Sequence, residues 1–448
     1  MTTTASRKKA RRSPTNEAGL DDGGSATPAE QATIATGAAR QVNDVEFLGR
    51  EAVLELLGVR KETLYTYVSR GLIKTVAQPG LKTKLYRKSD VEKLKTRAVA
   101  RSDVPRVSHS LRYGAPIAPT WITEITPQGP RYRGHLATDL AIQGRSFESA
   151  AELLWGGILT RRPAPWPLSP LPARTVAWLA DSVPVEARPP SALRQFALIA
   201  TSLSAVEDSH ADSQSLDTPS GRRLLQAFAG VAGYLGRTAK YCALKPGESV
   251  AACVARGLGV ARDEHVVALI DAALVLSADH ELSAPTFAAR ICASTGADLP
   301  ACVAAALMAQ SGPMQIGGVS DVEALLESLE DVATSPAPAQ AGLPCFNHPL
   351  YDRDPRAVVL LAIAKRHPRL QPIAQRAFRL VDDAERSGQY PNAFAALAIA
   401  SAAVGLPKGS AALLHTLGRT AGWIAHAVEQ RLAGAMLRPR AKYLGPLA

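Results

Sequence analysis

The pattern of apolar and polar positions divides the chain into two parts with different predicted structures. From about residue 109 to the C-terminus, Ala-rich amphipathic segments follow one another, separated by glycine and proline, which is typical of consecutive helices. The exception is ITEITPQGPRYRG (residues 122–134), which predicts a short hairpin around Pro127-Gln128-Gly129. Residues 101–448 are therefore predicted to form one large, mainly α domain.

The stretch 45–100 has a different pattern. EFLGREAVLELLGV places Leu54 and Leu57 on one helical face, and the next helix repeats apolar residues at four-residue spacing from Leu64. KTVAQPGLKTKLYRKSD then predicts two short strands around a Pro79-Gly80 turn, and Ser89-Asp90 is expected to cap a last helix. Helix, turn, helix, hairpin and helix is the outline of a small winged helix-turn-helix domain.

This outline resembles the DNA-binding modules of the MerR/excisionase type, through GREAVLELLGVRKETLYTYVSRGLI and LYRKSDVEKL. The resemblance implies that the second helix enters the major groove of duplex DNA and that the hairpin contacts phosphates. The groove-facing residues would be Arg60, Lys61, Thr63, Tyr67 and Arg70, and the phosphate contacts would be Lys82, Lys84, Arg87 and Lys88. The alternative is a small protein-docking domain with a basic solvated face.

Composition and charge narrow the classes of protein and of partner. The chain has 448 residues, 46% of them hydrophobic and only 5% aromatic, which suits a large core of helices packed through small side chains. A net charge of +11 is compatible with an anionic partner such as nucleic acid or a phosphate-rich small molecule, and also with a merely soluble surface. Residues 1–44 lack hydrophobic periodicity and are expected to be a disordered basic tail.

Location and redox state are predicted from what the sequence contains. No apolar run is long and charge-free enough to span a membrane, and the N-terminus has no apolar segment typical of a secretory signal. The five cysteines form no CxxC pair, which favours thiols in a reducing cytoplasm over disulfides or a metal site. A cytoplasmic protein without a metal is the expectation.

Candidate chemistry concentrates in a few polar positions of the large domain. In NHPLYDRDPR (347–356), the two prolines exclude helix interior, so His348 and Arg356 are predicted on a pinned loop. His280 lies in an apolar helical run, and Arg419 and Arg438 lie near the C-terminus. Arginine forks bind carboxylates and histidine can donate to a carbonyl oxygen, so together they suggest a pocket for a small multi-carboxylate molecule. Each residue taken singly has a purely structural alternative.

Seven stretches resemble the citrate synthase family in order and spacing, over roughly residues 109–448. They are PRYRGHLATDLAIQGRSFESAAELLWGG (130–157), SADHELSAPTFAAR (277–290), GPMQIGG (312–318), NHPLYDRDPR, YPNAFAALA (390–398), GRTAGWIAHAVEQ (418–430) and RPRAKYLGP (438–446). The resemblance implies an all-α fold of a large and a small lobe, the small lobe at approximately 315–420, in a homodimer. It also implies condensation of an acyl-CoA with a 2-oxo acid, usually acetyl-CoA with oxaloacetate, without a permanently bound cofactor.

The resemblance assigns a role to each matching residue. His348 matches the histidine that polarises the ketone, and His280 matches the histidine that contacts the oxo acid. The arginines that hold the carboxylates are matched by Arg356, Arg419 and Arg438, the last across a dimer interface. Two catalytic positions depart from the family: Gln315 stands for the histidine that stabilises the enol, and Phe394 stands for the aspartate base. Phenylalanine cannot accept a proton, whereas a glutamine can still donate through its amide.

Lesser departures accompany these two. The turn at Gln315 is one residue longer, with Ile316 inserted, and Ser283 replaces an asparagine. The favoured interpretation is a divergent citrate-synthase-like protein fused to a DNA-binding module. It would act as a regulator responsive to an oxo acid or acyl-CoA, with weak or no condensing activity. The alternatives are an active synthase condensing acetyl-CoA or propionyl-CoA with oxaloacetate, and a partner subunit for an active paralogue.

Overall fold

A computed structural model describes residues 40–42, 45–57, 59, 61–69, 72–77, 84–91, 118–161, 163–182, 191–205, 218–330 and 343–438. The chain divides into two compact units, Met1–Lys95 and Thr96–Ala448. Arg60, Arg70, Lys82, the Pro79-Gly80 turn and most of the predicted tail and last helix of the first unit lie outside the described residues. The side chain of Thr63 is not described either.

The first unit combines two helices with a four-stranded antiparallel sheet. The helices are Arg50–Leu57 and Lys61–Ser69. The strands are Arg40–Val42, Val45–Leu48, Thr75–Ala77 and Lys84–Arg87, with the last of these between the second and the third. Val53, Leu64, Ile73, Tyr86 and Val91 form its buried core. The described elements of this unit follow in the order strand, strand, helix, helix, strand, strand.

Three details of the first unit differ from the sequence expectations. Arg40–Val42 pairs with Val45–Leu48, so ordered structure begins inside the stretch expected to be a tail. The short helix 88–91 includes Asp90, whose carboxylate accepts a hydrogen bond from Lys74 N at 3.1 Å instead of capping the helix. Tyr67 was expected on the outer face, but its ring packs against the buried core because it shares a helix face with Leu64.

The second unit is mainly helical with one small sheet. The predicted hairpin is confirmed as Thr123–Thr126 paired with Gly129–Tyr132, and His135–Leu136 adds a third strand that is too short to leave a pattern in the sequence. Its first helices are Ala137–Ile142, Phe147–Gly156, Ala173–Asp181, Ala192–Ser204, Thr218–Ala229, Ala232–Leu235, Val250–Leu258 and Glu264–Ser277. Then follow Ala284–Ser294, Leu299–Gln310, Gly318–Glu330, Pro355–Lys365, Pro372–Arg386, Ala393–Ala403 and Ser410–Ala433.

A π-helical turn, Pro313–Gly317, joins two of these helices. It carries Gln315 and Ile316, and a π turn holds more residues per hydrogen-bonded ring than an α turn. The sequence pattern had predicted only a Gly-rich turn here. No helix among the described residues is long and apolar enough to cross a membrane.

The helix Ser410–Ala433 is the centre of the second unit and is buried along most of its length. It approaches the chain after Glu264–Ser277 so closely that a Cβ at Gly422 would clash with Asp279 Oδ1, and Gly422 N donates to Ala278 O at 2.9 Å. Gly418 meets Leu274 O in the same way. Because these two glycines flank Arg419, the close approach fixes where its side chain can reach.

Candidate functional site

The loop carrying His348 is held against the segment that precedes the helix Ala393–Ala403. Asn347 N donates to Tyr390 O at 2.6 Å, and Tyr390 N donates to Asn347 Oδ1 at 3.0 Å. Asn347 adopts a left-handed φ of 62° and Cys345 one of 59°, conformations that non-glycine residues rarely take without support. Such strain next to a candidate site residue indicates that the loop conformation is imposed by these cross-links.

Asp354 joins the same loop to two helices. It caps Pro355–Lys365 by accepting from Arg356 N at 3.1 Å, and it also accepts from Ala393 N at 3.0 Å. The Arg356 side chain donates two hydrogen bonds to the Asp354 carboxylate, from Nε at 3.0 Å and from Nη2 at 2.8 Å. Burial raises the pKa of Asp354, but Arg356 outweighs it and the pKa is lowered, so the carboxylate stays ionised. Arg356 is thereby fixed, and its Nη1 makes no hydrogen bond among the described residues.

The two predicted histidines face each other. The rings of His280 and His348 are 5.3 Å apart at 69°, and His280 Nε2 is 3.0 Å from Tyr351 Oη. His348 Nδ1 accepts from Leu350 N at 3.1 Å, so in the neutral ring the proton is on Nε2, which is a donor. Burial and then Arg356 lower the pKa of His348 to about 4 and hold that of His280 well below its usual range. Both rings are therefore neutral at pH 7.

Arg419 supplies a second buried cation. Its Nη1 lies 3.8 Å from Asp279 Oδ1 and has no hydrogen-bond partner among the described residues. Asp279 is held by Glu281 N at 3.0 Å and by His426 Nε2 at 3.4 Å. Burial lowers the pKa of the Arg419 guanidinium. A buried cationic N–H without a partner is costly, so this group is poised to accept an anion.

These residues lie within a stretch that matches a known family. Residues 112–440 match the model of the citrate synthase C-terminal domain, which is more than half of the chain. The chain belongs to the citrate synthase family. The 2-methylcitrate synthase of Shewanella oneidensis is 28% identical over 346 residues, covering 72% of this chain and 90% of that protein. Citrate synthase 2 of Bacillus subtilis is 31% identical over 185 residues, covering 39% of this chain and 50% of that protein.

The solved structures of the family show the same fold. Citrate synthase from Thermoplasma acidophilum, solved as a ternary complex with carboxymethyl coenzyme A and oxaloacetate, superposes with a TM-score of 0.60 at 23% identity. The alignment covers 75% of this chain and 95% of that chain. In sequence, the chain spans about half the length of several curated relatives, such as 53% of a Mycobacterium tuberculosis protein that is 35% identical to it. The mainly α, citrate-synthase-like fold predicted from the sequence is confirmed.

The citrate synthase fold brings four of the predicted site residues into one cluster, which we call the cation–histidine cluster: His280, His348, Arg356 and Arg419. Phe394 is half-buried, and its ring is 4.4 Å from that of His415. Gln315 is half-buried on the π turn, without a hydrogen bond from its side chain to the cluster among the described residues. Arg438 is exposed in the single chain and makes no contact with the cluster. The residue roles stay predictions.

Several residues that sequence reasoning missed complete the cluster. The helix-capping role of Asp354 could have been predicted from the sequence, because an Asp before Pro commonly starts a helix. His415 precedes Arg419 by one helical turn, so the spacing places both on one face. Tyr351 left no pattern, since its role depends on the loop fold. A cavity of about 360 Å³, lined by Gln371, Ser401 and Lys408 among others, contains none of the predicted site residues.

Proposed function

We propose that the cation–histidine cluster binds a 2-oxo dicarboxylate of the oxaloacetate class and that the chain condenses it only slowly with an acyl-CoA. One observation carries the proposal: beside two neutral histidines, the buried guanidinium of Arg419 keeps an Nη1 donor without a partner among the described residues, and the buried Arg356 side chain is hydrogen-bonded only to Asp354 among those residues. Each guanidinium would hold one carboxylate. The oxaloacetate in the Thermoplasma acidophilum complex supports this class of ligand.

The remaining geometry supports a role in polarising the ketone. His348 Nε2–H is a fixed donor because its Nδ1 is occupied by Leu350 N. As a carbon nucleophile adds to the ketone, negative charge grows on the oxygen, and a preoriented donor stabilises that charge. His280 would have to exchange its hydrogen bond with Tyr351 Oη for one to the ligand.

Condensation additionally needs a base for the thioester α-proton, and Phe394 cannot act as one. Loss of a general base typically costs ~10²–10⁴-fold in rate. The Gln315 amide could still donate to an enol oxygen. Slow condensation is therefore proposed rather than none. The Shewanella oneidensis relative is named a 2-methylcitrate synthase, which supports testing propionyl-CoA beside acetyl-CoA. Ordinary synthase activity is the alternative, supported by the relatives' names and the retained cluster.

We propose that the first unit binds duplex DNA and that the oxo acid or acyl-CoA regulates this DNA binding. The support is the order of its helices and strands together with basic side chains on its surface: Lys61 and Lys84 are exposed, and Arg87 is partly exposed. A homodimer is proposed from the family resemblance, with Arg438 completing the partner's site. Regulation requires that the ligand bind the DNA-competent and incompetent states unequally, since equal affinity shifts nothing.

The test of ligand binding is a calorimetric titration of the full chain with oxaloacetate. Arg419→Lys keeps the positive charge but loses the paired N–H donors of the guanidinium. We therefore expect the affinity for oxaloacetate to fall by about tenfold or more. The matched control is Arg353→Lys on the loop of His348, where the arginine is half-exposed and pairs with Glu385. The Arg353→Lys variant should bind oxaloacetate with the affinity of the wild type. No heat from oxaloacetate with the wild type, or equal affinities of all three proteins, would reject the site.

A further inference from the structure

The helix Ser410–Ala433 carries a second polar residue toward the cluster, His415. It is 4% exposed, and its Nδ1 has no hydrogen-bond partner among the described residues. Its ring lies against Phe394 at 4.4 Å between centroids. An unpartnered buried imidazole nitrogen is costly unless a ligand satisfies it. His415 therefore has a free acceptor or donor beside the position that lacks a carboxylate.

Four groups in or beside the cluster cannot readily accept a proton. Asp354 is bound by Arg356 and Ala393 N. His348 uses Nδ1 as an acceptor, which leaves Nε2–H as a donor. Burial raises the pKa of Tyr351 to about 12, so its hydroxyl keeps its proton. Asp279 is committed to His426 and Glu281 N and lies beside Arg419.

His415 meets the requirements of a proton acceptor. Burial, followed by the nearby charges of Arg419 and Arg356, holds the pKa of His415 well below its usual range. The imidazole is therefore unprotonated at neutral pH and keeps a free lone pair, but its lowered pKa makes it a weak base, so proton removal is expected to be slow. Its position one turn before Arg419 ties it to the group that would hold a carboxylate of the oxo acid.

We propose that His415 replaces the missing carboxylate as the base that removes the α-proton of the acyl-CoA thioester. The proton moves to the imidazole, the C–H electron pair forms the carbon–carbon double bond of the enolate, and the carbonyl pair moves to the thioester oxygen. The enolate carbon then adds to the ketone, and the hydrogen bond from His348 Nε2–H stabilises the negative charge on its oxygen, which takes a proton from water while the His415 imidazolium returns its proton to water. No oxidant or further reactant is needed for this step. The inference rests on the proposed function, because it assumes that the oxo acid site is used.

The experiment measures deuterium exchange at the α-carbon of acetyl-CoA and propionyl-CoA in D₂O by mass spectrometry, using the full chain. Malate is added as the probe, because it offers two carboxylates but no ketone, so any enolate formed must take deuterium from solvent. Calorimetry with malate and with oxaloacetate is run on the same samples. Calorimetry reports ligand binding and deuterium exchange reports proton removal. A failure of binding is therefore distinguishable from a failure of proton removal.

The decisive variants are His415→Asp and His415→Asn, which have the same shape but differ in the ability to accept a proton. We expect slow exchange in the wild type, partial exchange in the Asp variant, and a fall of about 10²-fold or more in the Asn variant with ligand affinity largely retained. Thermal melts show whether each variant is folded, and His415→Gln serves if one is not. Glu281→Gln tests the neighbouring half-buried carboxylate and should leave exchange unchanged.

Four results would overturn the assignment. The first is ligand binding by the wild type with no exchange above that of acyl-CoA alone. The second is equal exchange in the wild type and the folded His415→Asn or His415→Gln variant. The third is loss of exchange in Glu281→Gln, which would make the carboxylate the base. A variant that loses affinity while its bound complex exchanges normally would make His415 a binding residue only.

Discussion

At the scale of single residues, Phe394 and Gln315 depart from the family's pattern, whereas the four residues of the cation–histidine cluster keep it. The resemblance to the family predicts a carboxylate at Phe394, whose ring packs on His415, and an imidazole at Gln315, which is an amide. Neither side chain is among the groups that hold Arg356 and His348 in place, which are Asp354 and Leu350 N. We therefore expect binding of the oxo acid and proton removal to be separable by substitution.

The separation predicts that activity can be restored at two positions. A Phe394→Asp, Gln315→His double variant should release thiol from acetyl-CoA and oxaloacetate about 10²-fold or more faster than the wild type, because it returns a base and an enol donor. Each single variant is the control for the other, and thermal melts show whether loss of the Phe394 ring destabilises the fold. Unchanged rates in a folded double variant that still binds oxaloacetate would show that the rest of the pocket has diverged.

The histidines predict a specific pH dependence of stability. The pKa of His348 is about 4 in the folded state and about 6.5 when unfolded. The unfolded chain therefore binds more protons between these values, so stability is lost as the pH falls from about 6.5 toward 4. His348→Gln should lose less stability between pH 7 and pH 5 than the wild type, by up to about 1 kcal/mol after solvent screening of this half-buried ring. Urea unfolding at both pH values measures the difference, and equal losses would contradict it.

At the scale of elements, the site depends on a long helix that approaches a neighbouring segment through glycines. Gly422→Ala should clash with Asp279 Oδ1 and lower the free energy of unfolding by about 1–3 kcal/mol, as overpacking does. It should also weaken oxaloacetate binding, because Arg419 is displaced with the helix. Gly156→Ala is the matched control: it lies at a helix end with open space around it and should be neutral or slightly stabilising. Equal thermal midpoints of the two variants would refute the close-packing explanation.

Elements were predictable from the sequence where they were long and periodic. The helices of the second unit and the hairpin at Pro127-Gln128 followed from apolar spacing and turn residues. The strand Arg40–Val42 and the strand His135–Leu136 did not, since two or three residues carry no period. The motifs also located His348 and Arg356, but the dependence on Asp354, Tyr351 and His415 arises from packing between segments far apart in sequence.

At the scale of the whole molecule, the proposed regulator requires the first unit to bind DNA. Replacing Lys84 and Arg87 with alanine should weaken binding to all sequences and reduce the slope of log affinity against log salt by about two, because fewer counterions are released. Removing the same charge from the second unit, through Lys365→Ala and Lys408→Ala, should leave the slope unchanged.

The measurement for this prediction is a titration against a genomic fragment library, with and without oxaloacetate or an acyl-CoA. Retention of no fragment above background at low salt would exclude DNA binding and favour a docking role for the first unit. Retention that no candidate ligand alters would keep DNA binding but reject ligand control.

The most direct test of the central claim is a thiol-release assay on the purified full chain with oxaloacetate and either acetyl-CoA or propionyl-CoA. We expect oxaloacetate-dependent release of thiol at a rate ~10²–10⁴-fold below that of a family member that retains the aspartate base. We also expect measurable binding of oxaloacetate. Turnover at the usual ~1–10³ s⁻¹ of enzymes would contradict it, since Phe394 would then have cost nothing.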